Sequence, residues 1–114
     1  MNDWRVNLFL RIRTWGTEGS ANGQFKFPTH VALGSSGNVY VVDSNNDRIQ
    51  VFNNGGTFIR TWGSAGSANG LFNTPFGIAI DSSGNANVSD IENKNNRIQK
   101  FKKDGTFIRT CTEG

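Results

Sequence analysis

The chain has 114 residues, a net charge of +3, 14 glycines and a single cysteine, Cys111, which limits it to one small domain. One cysteine excludes an internal disulfide and a multi-cysteine zinc site, and no apolar run approaches the length of a membrane span. The mild positive charge suits an acidic partner without requiring one.

No charged-then-apolar segment of secretory type opens the chain at Met1-Asn2-Asp3-Trp4, so the compartment is left open. Residues 1–7 show no readable pattern. Leu8 to Gly16 ends in Ile12-Arg13-Thr14-Trp15-Gly16, which recurs at Ile59 to Gly63. Residues 1–16 are therefore expected to be an extra outer strand left from a partial unit. Thr17 to Gln24 form a polar connector, matched by Ser64 to Leu71, and both carry Gly-Ser-Ala-Asn-Gly.

From Phe25 to Gly63 the spacing predicts four short strands: Val31-Ala32-Leu33, Val39 to Asp43, Arg48 to Phe52, and Thr57 to Gly63. The loops between them are rich in Gly, Asn, Ser and Asp, the signature of an antiparallel meander. The stretch then recurs at an offset of 47, with Phe72 for Phe25, Pro75 for Pro28 and Ile78 to Asp81 for Val31 to Gly34. Four-strand repeats of this length are the sequence form of propeller blades. The expected fold is all-β, with one blade over residues 17–63, a second over 64–110 and a tail of 111–114.

The second blade is a less regular copy. Asn87 and Ser89 stand where the first has Tyr40 and Val42, and Lys100 replaces Val51. Its loop after Asp90 is longer, so Arg60 and Arg109 lie 49 apart. A looser second strand and a weaker blade are expected there.

Pro75-Phe76-Gly77-Ile78-Ala79-Ile80-Asp81 with Gly84-Asn85, Gly37 to Asp43, Asn46 to Phe52 and the closing Gly56 to Gly63 resemble the NHL repeat. The resemblance covers most of the chain, as two repeats and a partial one. Its departures are His30 in place of the usual glycine, kept as Gly77, and Asp47 and Asn96 where the family often has histidine. The resemblance implies a β-propeller, commonly of six blades, with the first strand of each lining a central channel.

Blades are apolar on both faces, and only a closed ring removes the end faces. Two blades would leave Ile49, Val51, Phe52, Phe58 and Trp62 on or near open surfaces, at about 1.5–3 kcal/mol each. The expectation is a ring of six blades closed by three copies, and the initial methionine is read in the same direction. Leu8 to Trp15 of one chain would complete a blade of its neighbour by domain swapping, displacing residues 106–114.

Asp43 with Arg48, and Asp90 with Arg97, repeat with the blade and read as loop-bracing ion pairs, ahead of an anion or metal site at the loop after the second strand. His30 precedes the innermost strand. In a threefold ring it would occur three times about the axis, a ligand number known for zinc, so zinc or calcium at the channel is a secondary reading. Lys94, Arg97, Lys100, Lys102 and Lys103 form the one basic concentration, split between opposite ends of the blade. Phe25, Phe27, Phe72 and Phe76 flank the prolines and read as plugs between blades, with stacking on a ligand as the alternative. Cys111 takes the place of Trp62 and has no His or Asp near it in sequence for nucleophilic catalysis.

No catalytic constellation is present, and no cofactor is expected. The reading is a non-enzymatic, self-assembling scaffold or protein- or ligand-binding module. Its ligand face would hold His30, Asn46, Asp47 and Lys94, with Ser35, Ser36, Ser82 and Ser83 at the opposite end. An RNA-binding propeller is the alternative that the resemblance implies, and a metal-dependent lyase-like enzyme ranks behind it. Membrane and DNA partners are not expected.

Overall fold

A computed structural model describes residues 14–90 and 96–112. Two four-stranded antiparallel sheets, each with its strands in sequence order, account for most of them. The first blade is β1 (Pro28–Leu33), β2 (Val39–Asp43), β3 (Arg48–Phe52) and β4 (Phe58–Trp62). The second is β5 (Ile78–Ile80), β6 (Ala86–Asp90), β7 (Arg97–Phe101) and β8 (Phe107–Thr112).

Side-chain demands close the turns. Between β3 and β4, the Asn53 carboxamide oxygen accepts the N–H groups of Gly55 at 2.9 Å and Thr57 at 3.0 Å, an Asx turn that saturates the reversal. Asp81 plays the same part between β5 and β6, accepting from Ser83 at 2.9 Å and Asn85 at 3.0 Å. The Asn85 N–H above all holds the Asp81 carboxyl below its ordinary value.

The polar connectors are not featureless. Thr17–Glu18 pairs in parallel with Gln24–Phe25, and Ala65 bridges Phe72 at the matching place.

Strand alternation sends Tyr40, Val42, Ile49 and Val51 to the side facing the second blade. There they meet Phe72, Ile78, Ala86, Val88 and Phe101 in one buried cluster, with Trp62 and Phe107 packed against it. The Trp62 and Phe101 ring centroids lie 5.5 Å apart. This corrects the expected exposure: Ile49, Val51 and Phe52 are buried. The second blade covers the first two. Phe52 lies under Phe25 and Trp15, each 5.7 Å away by ring centroid.

The last strand runs to Thr112, beyond the expected blade end at 110, and pairs along β7 in its own blade. Within the single chain, the outer edge of the second blade is formed by its own last strand. The expected strand over Leu8 to Arg13 lies outside the described residues.

Candidate ligand face

Each connector loop is held by a buried carboxylate, an arginine and a glutamine on successive strands. Asp43 ends β2 and is fully buried. It accepts from the Lys26 N–H at 2.7 Å, Arg48 Nε at 2.8 Å, Asn46 Nδ2 at 2.9 Å and Gln50 Nε2 at 3.2 Å. Arg48 then reaches the carbonyls of Ser20, Ala21 and Gln24 at 3.0, 3.0 and 2.8 Å. Gln50 donates to Gln24 O at 2.7 Å and accepts from Gly23 N at 2.9 Å.

The second blade repeats this arrangement. Arg97 pairs with Asp90 at 3.3 Å and holds Ser67, Ala68 and Leu71 carbonyls, while Gln99 joins Gly70 and Leu71. A loop carbonyl cannot stay buried unpaired, and a planar guanidinium meets several at once. The recurrence of Gly-Ser-Ala-Asn-Gly follows from this: the loop backbone is shaped to three side chains.

A second set of bonds at the same end staples the blades together. Ser44 Oγ donates to Pro75 O at 2.5 Å, and Thr29 Oγ1 donates to Phe76 O at 2.6 Å. Asp47 Oδ1 accepts from Thr74 N at 2.6 Å. Asp47 has φ 54° and Thr74 φ 55°, left-handed conformations held in place by this cross-blade bond.

The expected face therefore divides. The Asn46 carboxamide donates to Gly19 O at 3.0 Å as well as to Asp43, and Asp47 is engaged with Thr74, so both hold loops. Lys94 lies outside the described residues. His30 is exposed, on the side of β1 that faces the second blade. A Cβ added at Gly77, its counterpart, would lie 3.4 Å from His30 Nδ1, so the imidazole rests over that glycine. Among the described residues no three His, Cys, Asp or Glu side chains gather as a metal site would require.

The phenylalanines separate by role. Phe72 is buried between the blades, whereas Phe27 and Phe76 are 69% and 53% exposed at the loop end. The plug reading fits Phe72, while the exposure of Phe27 and Phe76 suits the alternative of stacking on a ligand. This difference was legible in part, since Phe76 replaces Thr29, whose hydroxyl staples the first blade to the second.

The basic concentration does not form one patch. Arg97 is nine-tenths buried in its clamp, and Lys100 pairs with Asp81 at 3.2 Å. Lys102 and Lys103 are exposed at the opposite end. Beside Phe27, an open groove of about 590 Å³ runs between Trp15, Phe25, Lys26, Pro28 and Asn45.

A profile of the NHL repeat matches residues 25–52 and 72–101, just over half of the chain. The chain belongs to the NHL repeat family. Protein lin-41 of Caenorhabditis elegans is 40% identical over 48 residues, which is 42% of this chain and 4% of that protein. Among solved structures, a luciferin-regenerating enzyme superposes over 79% of the chain with a TM-score of 0.57 and 17% identity. A calcium-binding protein, regucalcin, from Agrobacterium tumefaciens covers 78% with a TM-score of 0.56 and 14% identity. The chain spans 31% of each of these two structures. At such identities the likeness speaks for the fold: the two sheets are NHL blades, and the structural neighbours are β-propeller proteins.

Proposed function

We propose that this pair of NHL blades is a non-catalytic binding module whose ligand is a protein segment meeting the loop end at Phe76, His30 and Lys26. The observation that carries this reading is Phe76. Its ring is 53% exposed, while its carbonyl is held by Thr29 and its N–H by Ser89 O at 2.9 Å. An exposed aromatic on a doubly held backbone loses little entropy on binding, which favours recognition. Screening a displayed peptide library against the whole chain tests it. Binders that are lost with Phe76→Ala and His30→Ala support the reading; binders indifferent to both overturn it.

RNA is the second reading, favoured by Lys26 beside the exposed Phe27 ring, a cation next to a stacking surface. Filter binding of mixed-sequence single-stranded RNA at two salt concentrations separates the two. A steep salt dependence together with loss in Phe27→Ala would install RNA as the ligand.

As a scaffold, the pair needs neighbouring blades. Three copies would make six blades, and they would also bring three His30 side chains toward one axis, the one arrangement that supports a zinc reading. The polar outer face of the second blade argues for a neighbour other than a copy, and solution mass decides between them.

A further inference from the structure

The chain contains one complete blade-to-blade contact, and it serves as a template for the two faces left open. On the donating side, Tyr40, Val42, Ile49, Val51 and Trp62 of the first blade meet the second. Their counterparts on the outer face of the second blade are Asn87, Ser89, Ile98, Lys100 and Cys111. Only the isoleucine is retained, and it is 46% exposed. The hydroxyls of Thr29 and Ser44, which staple the next blade, are replaced in sequence by Phe76 and Ile91.

The replacements are coordinated. A Cβ at Gly34 would lie 3.1 Å from the Tyr40 ring. In the second blade Asp81 takes the glycine's place and gathers Lys100 Nζ at 3.2 Å and Asn87 Nδ2 at 3.5 Å. An aromatic laid over a glycine beside a valine has become a polar cluster.

The receiving side shows the reverse. The second blade receives the first on Ile78, Ile80, Val88 and Phe101, with Gly105 beneath Trp62. The first blade offers Val31, Leu33, Val41 and Phe52 at the same places, with Gly56. Val31 and Leu33 are 55% and 69% exposed. Trp15 already lies on this face: a Cβ at Gly56 would come within 3.1 Å of its indole, as one at Gly105 would come within 2.9 Å of Trp62. The apolar recess lined by Trp15, Pro28, Val31 and Val39 continues the same seat.

We propose that the two open faces are not mates. The receiving face of the first blade takes a neighbouring blade whose donating face is aromatic and aliphatic, like that of the first blade. The polar outer face of the second blade excludes head-to-tail association of copies. Seating the cluster of Asn87, Lys100 and Asp81 on Val31 and Val41 would strip its polar groups of water and offer them nothing beyond their contacts with one another. This inference is independent of ligand binding at the loop end.

The test uses the full chain and a variant, Asn87→Tyr, Ser89→Val, Lys100→Val, Cys111→Trp, that gives the second blade the first blade's donating face. Sedimentation in the micromolar range is expected to give 12.5 kDa for the natural chain and multiples of it for the variant. Adding Val31→Asp to the variant is expected to return it to single-chain mass. A natural chain that forms a discrete multimer dissolved by Val31→Asp overturns the proposal, as does a variant with a natural circular dichroism spectrum that stays single. The milder pair Asn87→Tyr, Ser89→Val gives the same readout if the fourfold variant does not fold.

Discussion

β2 and β6 occupy the same place in the two blades but are buried differently. In β2, Val39, Tyr40, Val42 and Asp43 are all buried; in β6 burial alternates, with Asn87 and Ser89 half-exposed between Ala86, Val88 and Asp90. A strand covered on both faces reads as a continuous apolar run, and one covered on a single face alternates. Composition thus records which faces suit a neighbouring blade. β2 stays apolar on the open side of the first blade, where Val41 is only partly covered, and β6 turns polar on the open side of the second. The irregularity of the second copy is a change of one face, since β6 pairs with β7 in unbroken register from Ala86 to Asp90.

The largest test of that comparison lies where the blades are alike. Asp43→Ala strands Arg48 among loop carbonyls, and Asp90→Ala does the same to Arg97. Breaking a buried pair costs about 3–5 kcal/mol, so urea denaturation is expected to show losses of that size for both. If only one blade responds, the clamps are not equivalent.

Trp62 and Cys111 share a repeat position with opposite surroundings, and they give the sharpest contrast. Trp62→Ala is expected to cost about 3 kcal/mol, since it removes an aromatic packed on Phe101. Cys111→Ala, at an exposed site, is expected to stay within about 0.5 kcal/mol. Trp62→Phe is expected to lie much nearer the natural protein than the alanine variant, because the buried indole N–H has no hydrogen-bond partner to lose. Midpoints from chemical denaturation of the three variants check this ordering.

The smallest effect is a dependence on pH at the polar cluster. Asp81 is held below its ordinary value chiefly by the Asn85 N–H, with Lys100 also contributing. A carboxyl lowered in the folded state stabilises above its unfolded value and loses that contribution as pH falls through the folded one. Asp81→Asn is therefore expected to lower stability slightly at neutral pH and to leave it nearly unchanged in acid, which flattens the acid limb of the stability curve. An equal loss at both pH values would show that geometry, not charge, matters there.

Much of the local architecture was legible. The predicted strands Val39 to Asp43 and Arg48 to Phe52 form as expected, because alternation and Asn-Gly or Ser-Gly turns are local signals. The division of the ligand face was not legible. Asp47 and Asn46 look like free polar loop residues, yet they spend their groups on Thr74 and Gly19, partners 27 residues away in each case. No local pattern reports such a bond.

The sequence by itself determined the two NHL blades, their strand order and the recurrence of the Asp, Arg and Gln positions, since hydrophobic period and turn chemistry act over a few residues. Only the tertiary structure decided which side of each strand faces a neighbour. Strand alternation is symmetric until a second sheet covers one side. That covering buries Ile49 and Val51, leaves Ile98 and Lys100 on an open face, and turns scattered differences between two repeats into the chemistry of a single surface.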